Sequence, residues 1–503
     1  MLSQSALRSS DRRELFTIYD CTQSIAMAAH IEPQDLSQHN SRQSCWLAIH
    51  GTVWDVTSFI DKHPGGASLI LSNSGKDATS TYEDFHSPEL VKKTLGFDAK
   101  RGLLRPETPA ERSQRNGIEE KKLSAKAKQP SLRAMVSLAD FEKMASVHMS
   151  PAAWAYVISG ADDEISCREN ARAYSKIFLR PRVLRDVQTV DCSTTILGQK
   201  SSLPFYTSPV GLGKMVHPDG ECAIANAVGK EGIIQVVNTV SSMPIEQIME
   251  SRMNAEQPVF WQLYADRDLD KSIAFVRRVE RAGVKAIWLT VDSPVVGKRE
   301  RDERAAASGD ATETMEEIVE SDKATGLAVA NTSFINAGID WSIVDWLRRI
   351  TKLPIVIKGI QRHEDAAIAF DHKVNGIVLS NHGGRSQDTA QPPLLTLLEI
   401  NKFAPHILGK HMEVFVDGGI RRGTDIVKAL ALGATAVGIG RPTLFSMAGG
   451  FGSYGVRRMI QVLRRELEIN MAMIGARNID ELDSSMLNTR QLEYMLSSDC
   501  CKL

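Results

Sequence analysis

The 503-residue chain lacks long apolar runs, an excess of charge and paired cysteines, and each absence excludes a class of protein. No apolar run approaches the roughly 18 residues that a bilayer crossing needs, so no transmembrane segment is expected. The 60 Lys and Arg residues balance 61 Asp and Glu residues, which leaves no basic field for nucleic acid. The seven cysteines contain no C-x-x-C pair, which favours reduced thiols in an intracellular protein over a secreted disulfide framework.

Both ends of the chain are predicted to be tails, over residues 1–28 and 491–503. The first has the Ser and Arg of an organelle-targeting peptide, but Asp11, Glu14 and Asp20 dilute its positive charge. The final residues Cys501-Lys502-Leu503 differ from the peroxisomal address S-K-L by one small residue in place of Ser. This ending indicates targeting to the peroxisome. The alternative is that the tail has an arbitrary sequence without a targeting role.

A charged hinge linker is predicted over residues 105–131, RPETPAERSQRNGIEEKKLSAKAKQPS. It is dense in Pro, Glu, Lys, Arg and Ser and nearly free of large apolar residues, as linkers are. It separates a small domain, residues 29–104, from a large one, residues 132–490. Two folded domains are therefore expected.

Eight short apolar runs recur in the large domain, and helical patterns, several ending in glycine, fill most of the gaps. Nearly all-apolar strands that alternate with helices predict an α/β fold, a closed (β/α)8 TIM barrel, with an open doubly wound sheet as the alternative. The runs are PFYTSPV (204–210), IIQVVNT (233–239), VFWQLY (259–264), AIWLTVD (286–292), IVIKGI (355–360), GIVLSNH (376–382), EVFVDGG (413–419) and AVGIGRP (436–442).

Polar residues end these runs, and in a parallel barrel the strand ends meet at the rim that holds the active site. Lys358 is either a Schiff-base lysine or a fixed positive charge over a cofactor ring. The charged segment 298–326 is expected to be a mobile excursion that covers the site. Glycines and arginines after the last two runs predict a phosphate site. The strand-end residues are Ser208, Asn238, Gln262, Tyr264, Thr290, Asp292, Lys358, His382, Asp417, Gly418, Gly419, Arg421, Gly440 and Arg441.

Six motifs resemble the FMN-dependent 2-hydroxy acid oxidising enzymes, the family of glycolate oxidase and lactate dehydrogenase. The resemblance covers about residues 132–490 and is specific because the motifs occur together. The motifs are SGADDEISCRENARAY, QLYADRD, LTVDSPVVGKRE, LPIVIKGI, LSNHGGRSQD and DGGIRRGTDIVKALALGA.

The resemblance implies a role for most of the strand-end residues. His382 would be the base, with Asp292 stabilising its imidazolium. Arg385 would hold the substrate carboxylate with Arg299 and Tyr156, and Tyr264 would bond the substrate hydroxyl. Lys358 would offset the negative charge of the reduced flavin. The implied FMN contacts are Pro209, Val210, Gly211, Asn238, Gln262, Thr290, Lys358, Asp417, Gly418, Gly419, Arg421, Gly440 and Arg441.

Three positions depart from the family pattern. Asn238 stands where the family usually has Ser or Thr near the flavin. Gly211 ends a flavin-flanking run that the family usually builds from Ala or Pro, then Thr and Ala. Val240 stands where a glycolate oxidase carries Trp. The small Gly211 and Val240 predict a roomier pocket and substrates larger than glycolate.

The small domain contains His63 in an HPGG turn and His86, 23 positions later, each beside apolar residues. Two such histidines can hold a haem iron from opposite faces, whereas zinc would need two further ligands and only Cys45 is at hand. The motifs VWDVTSFI, HPGG and DATSTYEDFH resemble the cytochrome b5 haem domain. That resemblance implies haem b, with His63 and His86 as the axial iron ligands.

The two domains together resemble the flavocytochrome b2 type of L-lactate dehydrogenase. This implies electron flow from a lactate-like substrate to FMN, then haem, then an external acceptor such as cytochrome c, in a homotetramer. One alternative is a peroxisomal oxidase whose reduced FMN makes peroxide, and another is a non-catalytic haem electron-transfer module. The mitochondrial intermembrane space is the alternative compartment.

Overall fold

The computed structural model describes residues 30–63, 67–86, 89–96, 98–106, 131–307 and 326–496. The predicted N-terminal tail, most of the predicted linker, the C-terminal Cys501-Lys502-Leu503 and most of the charged excursion lie outside these ranges. None of the helices in the described ranges combines the length and apolar character that a membrane crossing requires.

The small domain is an α+β unit, as predicted. Strands β3 and β4 form a hairpin that turns at His50 and Gly51, both with positive φ, as a two-residue hairpin loop requires. Its strands are β1 (His30–Ile31), β2 (Asn40–Ser41), β3 (Ser44–Ile49), β4 (Thr52–Asp55), β5 (Lys76–Asp77) and β6 (Lys100–Leu104). Its helices are α1 (Pro33–Gln38), α2 (Ala67–Asn73), α3 (Thr79–Phe85) and α4 (Leu90–Leu95), with a 3-10 helix at Thr57–Lys62.

The large domain is a closed barrel of eight parallel strands, which confirms the predicted barrel and excludes the open sheet. The last strand pairs with the first through Phe205 opposite Val437, which closes the ring. The barrel strands are β10 (Phe205–Thr207), β11 (Ile234–Val237), β12 (Val259–Leu263), β13 (Ile287–Thr290), β14 (Ile355–Ile360), β15 (Gly376–Leu379), β16 (Glu413–Asp417) and β17 (Ala436–Ile439). The short strands β7 (Phe178–Leu179), β8 (Thr194–Ile196), β9 (Gln199–Ser201) and β18 (Leu487–Asn488) form two-stranded ribbons.

Helices surround the barrel, and their apolar faces pack on the outside of the strands. Three helices, α5 to α7, precede the first barrel strand. The helices are α5 (Leu138–His148), α6 (Pro151–Ile158), α7 (Ile165–Ser175), α8 (Gly220–Glu231), α9 (Ile245–Glu250), α10 (Leu269–Ala282), α11 (Glu300–Ala307), α12 (Leu327–Thr332), α13 (Ser342–Ile350), α14 (His363–Asp371), α15 (Pro393–Phe403), α16 (Gly423–Ala431), α17 (Arg441–Met447), α18 (Gly452–Ile474) and α19 (Arg490–Glu493).

The inside of the barrel is filled by aromatic side chains. Trp288 stacks on Phe415 and Phe260 and meets Tyr206 edge to face, and all four are buried. The interior is therefore a packed core and not a pore, and a ligand can be bound only at the rim, where the polar strand ends lie.

The small domain contacts the barrel beside that rim. Helix α3 lies next to the 3-10 helix at Gly213–Met215, which follows β10, and α2 lies next to α11. Helix α3, which ends one residue before His86, therefore faces the end of the barrel where the polar residues gather.

Candidate active site

One cleft of about 1130 Å³, open to solvent, lies at the carboxyl rim of the barrel. Its lining includes all the residues predicted for substrate and flavin except Asp292, which supports His382 from the side. Five of the lining side chains are arginine or lysine and one is acidic. The lining residues from the prediction are Tyr156, Pro209, Val210, Gly211, Asn238, Gln262, Tyr264, Thr290, Arg299, Lys358, His382, Arg385, Asp417, Gly418, Gly419, Arg421, Gly440 and Arg441.

A left-handed turn directs His382 into the cleft. Strand β15 ends at Leu379, and the backbone then takes φ values of 58° at His382, 65° at Gly383 and 75° at Gly384. A non-glycine residue in this region is strained and needs support from its surroundings. The buried Asn381 supplies that support through a reciprocal amide pair with Asn170, at 2.7 and 2.8 Å.

His382 and Asp292 form a hydrogen-bonded dyad. Nδ1 of His382 lies 2.7 Å from Oδ1 of Asp292, so Nε2 is the nitrogen that is left to exchange a proton with a substrate. Burial lowers the pKa of His382, although Asp292 opposes the shift. The imidazole is therefore neutral at neutral pH, which is the state of a base.

Lys358 is a buried cation among acidic side chains. Its Nζ lies 3.0 Å from Oδ2 of Asp292, 3.7 Å from Oδ2 of Asp417 and 3.1 Å from Oγ of Ser380. Burial by itself would lower the pKa of Lys358, but the negative charges of Asp292 and Asp417 have the larger effect and raise that pKa. This geometry favours the fixed-charge interpretation over the Schiff base, since a Schiff-base lysine needs a lowered pKa.

The pKa of Asp292 moves the opposite way. Burial by itself would raise it, but the positive charges of Lys358 and of His382, when protonated, hold the pKa well below its usual range. Asp292 therefore stays ionised and can stabilise an imidazolium at His382.

Two arginines converge beside the dyad. The guanidinium carbons of Arg299 and Arg385 lie 5.9 and 5.2 Å from the ring centre of Tyr156. Nη1 of Arg385 donates to the carbonyls of Tyr156, Val157 and Ser159 at 2.9 to 3.1 Å, which fixes the guanidinium. Burial, followed by Arg299, lowers the pKa of Arg385 to about 9. Two cations side by side, Arg299 buried and Arg385 half-buried, make a strong site for a carboxylate.

Tyr264 supplies a neutral hydroxyl on the same side of the cleft. It is buried, and burial together with Asp292 raises the pKa of its phenol far above neutrality. The phenol therefore keeps its proton and can donate a hydrogen bond to an oxygen of a bound substrate.

A second basic part of the cleft, next to Arg385, fits a phosphate. Arg421 and Arg441 reach it from beyond strands β16 and β17, and a Cβ at Gly440 would meet nothing nearer than Ser208 Cβ at 3.9 Å. Its backbone is therefore open to the cleft. Gly419 has a different reason to be glycine: a Cβ there would lie 2.2 Å from the carbonyl oxygen of Asn170 on α7.

Several buried polar atoms in this cleft have no hydrogen-bond partner within the described residues. They include Ser208 Oγ, Asp417 Oδ1 and Arg441 Nε. Buried polar groups are nearly always paired, so these atoms mark a place for a polar ligand. The arginine donors and the buried ammonium of Lys358 fit FMN, with its phosphate and its ring that becomes anionic on reduction.

Polar side chains from neighbouring strands form hydrogen bonds with one another along the lining of the cleft. Gln262 Nε2 donates to Thr290 Oγ1 at 2.9 Å. Asn238 donates to the carbonyl of Pro209 at 3.2 Å and accepts from the N–H of Val240 at 2.7 Å. Asn238 therefore ties the turn after β10 to the turn after β11.

The two histidines of the small domain face each other in an apolar setting. Their ring centres are 6.1 Å apart, at an angle of 88°. Two iron–nitrogen bonds of about 2 Å, each with roughly 1.2 Å from nitrogen to ring centre, span about 6.4 Å. The ring centre of Phe59 lies 5.9 Å from that of His63, and the ring centre of Tyr82 lies 5.0 Å from that of His86. Both aromatic residues belong to the apolar cluster of the domain, which also includes Ile60, Ile70, Leu71, Val91 and Leu95. His63 and His86 therefore fit the axial positions of a haem.

The structure adds site residues that the sequence patterns did not reveal. Ser380 holds both Lys358 Nζ and the N–H of His382, each at 3.1 Å. Ser293 Oγ lies 3.2 Å from His382 Nδ1. Ala328 and Thr332, one helical turn apart on α12, line the cleft. Ser380 precedes His382 by two residues, and Ser293 follows Asp292. Closeness in sequence to a predicted catalytic residue is therefore the one sequence feature that could have identified these two serines.

Residues 145–489 match the FMN-dependent dehydrogenase family, and residues 32–116 match the cytochrome b5-like haem/steroid binding domain. The chain is 39% identical over 463 residues to an L-lactate dehydrogenase (cytochrome) of Wickerhamomyces anomalus, covering 92% of this chain and 80% of that protein. It is 38% identical over 359 residues to a peroxisomal (S)-2-hydroxyacid oxidase of Arabidopsis thaliana, covering 71% of this chain and 97% of the oxidase. A solved flavocytochrome b2 mutant with benzoylformate has a TM-score of 0.68 at 37% identity, covering 77% of this chain and 94% of that one.

These matches confirm the resemblances inferred from the motifs. The Wickerhamomyces anomalus relative aligns across both domains, whereas the Arabidopsis thaliana oxidase covers less of the chain. The chain belongs to the FMN-dependent dehydrogenase family, joins its barrel to a cytochrome b5-like domain, and has FMN and haem b as its cofactors.

Proposed function

We propose that the protein oxidises an L-2-hydroxy acid of the lactate type to the 2-oxo acid and passes the electrons through its haem domain to an external acceptor such as cytochrome c. The observation that carries this proposal is the convergence of His382, Arg385 and Lys358 on one cleft. The cleft thus combines a neutral base, a carboxylate site and a buried cation.

The reaction removes two electrons and two protons from the substrate as the carbinol C–H and O–H bonds break and a C=O bond forms. Arg385 and Arg299 hold the substrate carboxylate, and Tyr264 bonds the oxygen on C2. Nε2 of His382 accepts one proton, and the ionised Asp292 at Nδ1 stabilises the resulting imidazolium. FMN would supply the acceptor for the two electrons and the second proton, and the haem would carry electrons one at a time.

Lys358 would hold the reducible end of the flavin. Its charge is permanent because Asp292 and Asp417 raise its pKa, and it is a buried residue in the lining of the cleft. A fixed cation at that place stabilises negative charge on a reduced ring without rearrangement. Arg421, Arg441 and the bare backbone of Gly440 would hold the phosphate.

The side-chain end of the cleft supports a substrate larger than glycolate. Val240 packs against Gly211 so closely that a Cβ at 211 would lie 2.9 Å from the Val240 carbonyl oxygen. Gly211 thus lets Val240 lie nearer the wall than an alanine would allow, and Ala328 is small. The test is kcat/KM for glycolate, L-lactate, L-2-hydroxybutyrate and L-mandelate, with Val240→Trp as the narrowed variant. A strong glycolate preference in the unmodified protein would contradict the proposed size.

An anaerobic mixing experiment tests the whole reaction. The protein loaded with FMN and haem is mixed with L-lactate, with D-lactate as the control, while the flavin and haem absorption bands are followed. Flavin bleaching followed by haem reduction supports the dehydrogenase. Flavin bleaching alone favours the oxidase, and no change with any 2-hydroxy acid favours the non-catalytic haem module.

The compartment is a separate proposal. The ending Cys501-Lys502-Leu503 favours the peroxisome, and an Arabidopsis thaliana relative carries that location in its name. A cytochrome c acceptor favours the mitochondrial intermembrane space instead. Tagged protein with and without Leu503 decides between them, since loss of peroxisomal signal on removal of Leu503 is expected only if this ending is read.

The assembly is proposed to be a homotetramer, as is usual in this family. Light scattering of the protein loaded with both cofactors tests this directly. A mass of one 55.4 kDa chain would contradict it.

A further inference from the structure

We propose that Asp302 is a positioning residue that couples the two substrate arginines to the helix forming the wall of the substrate pocket. This inference rests on the proposed function. Asp302 lies on α11, three residues after Arg299, and only 2% of it is exposed. A carboxylate so deeply buried needs partners that compensate its lost hydration.

The first partner is α12, across a stretch of 26 residues. Oδ2 of Asp302 accepts the backbone N–H of Ala328 at 2.9 Å, and the N–H of Leu327 is a second donor. Gly326 enters α12 with φ of 108°, and a Cβ there would lie 2.9 Å from that same Oδ2. The chain therefore approaches the carboxylate directly, and Asp302 fixes the beginning of α12.

Helix α12 forms one wall of the cleft. Ala328 and Thr332 line it, and the Thr332 hydroxyl is bonded to the Ala328 carbonyl at 2.6 Å. Because the Thr332 hydroxyl donates its proton to a carbonyl of its own helix, it has no hydrogen-bond donor left for a substrate. A shift of α12 would change the width of the cleft that Val240 also lines.

The second partner is the arginine pair. Arg299 and Arg385 both stabilise the negative charge of Asp302, although burial outweighs them and raises the pKa of its carboxyl group. Arg299 Nε also lies 3.4 Å from the carbonyl oxygen of Arg385, so the pair and the start of α11 are packed together. Asp302 is thus a resident counter-charge near the site where a substrate carboxylate would bind.

Two roles follow, and two variants separate them. Asp302→Asn keeps an oxygen acceptor for the Ala328 N–H but removes the charge. Two unit charges about 10 Å apart in a protein interior interact by roughly the free energy of a tenfold change in affinity. Asp302→Asn is therefore expected to bind pyruvate roughly tenfold more tightly and to keep the ratio of kcat/KM for L-lactate over L-mandelate.

Asp302→Ala removes the acceptor as well as the charge. The start of α12 is then no longer held, and the L-lactate to L-mandelate ratio is expected to change by at least about fivefold. Glu300→Gln is the matched control, because it removes a carboxylate from the same helix that pairs at the surface with Arg304. It should change neither pyruvate binding nor the ratio.

The measurements are pyruvate affinity by flavin absorbance and kcat/KM for both substrates, with FMN and haem content checked in each variant. Equal loss on both substrates in Asp302→Ala, or identical behaviour of the Asn and Ala variants, would overturn the inference. A wild-type protein that turns over no 2-hydroxy acid would refute the proposed function instead, so the two failures are distinct.

Discussion

Replacing Asp292 by Asn removes one buried charge from the centre of the site while keeping the side chain's size. The two carboxylate oxygens hold His382 Nδ1 at 2.7 Å and Lys358 Nζ at 3.0 Å. Opposite charges about 4 Å apart interact by about 4 kcal/mol at an effective dielectric constant near 20, and the retained hydrogen bond returns about 1 kcal/mol. The remaining loss of about 3 kcal/mol corresponds to a rate roughly 100-fold lower.

The pH dependence of kcat/KM gives a second test of the Asp292→Asn substitution, because the direction of its shift can be predicted. Burial lowers the pKa of His382, and Asp292 opposes that shift. Because the imidazole must be neutral to accept a proton, kcat/KM is expected to fall as the pH drops below the pKa of His382. Without Asp292 that pKa decreases further, so the acidic limb moves to lower pH while the plateau decreases.

Anaerobic single-turnover bleaching of the flavin by L-lactate, from about pH 5 to about pH 9, measures both effects. Asp345→Asn, an exposed carboxylate on α13 that pairs with Arg348, is the control and should leave the profile unchanged. An Asp292→Asn protein with the wild-type plateau, or with an acidic limb at higher pH, would refute the dyad.

Three further changes separate the parts of the site. Arg385→Lys should raise KM for L-lactate about 10- to 100-fold with a smaller effect on kcat, because a lysine cannot match the fork of the guanidinium; steady-state kinetics with ferricyanide would contradict this if KM stayed constant. Lys358→Met should weaken FMN binding and cost about 3 to 5 kcal/mol of stability, because it leaves Asp292 and Asp417 without their shared cation; an FMN titration and denaturant unfolding check both. His63→Ala should lose haem and cytochrome c reduction but keep lactate-dependent ferricyanide reduction, and equal loss of both activities would argue against separate domains.

Sequence patterns predicted the barrel and the rim because the relevant signals are local. Each strand is an apolar run, and parallel topology brings the strand ends to one edge, so Lys358 and His382 were placed without any knowledge of contacts. The left-handed backbone at His382 and the packing of Gly419 against Asn170 depend on neighbours distant in the chain. The contact between Asp302 and Ala328 joins two helices separated by 18 residues outside the described ranges, with no periodic signal between them.

The most direct test of the central claim is a crystal structure of the protein loaded with FMN and soaked with pyruvate. The proposed chemistry predicts the pyruvate carboxylate on Arg385 and Arg299, with its 2-oxo oxygen within hydrogen-bonding distance of His382 and Tyr264. A pyruvate carboxylate bound elsewhere, with His382 and Arg385 facing different ligands, would contradict it.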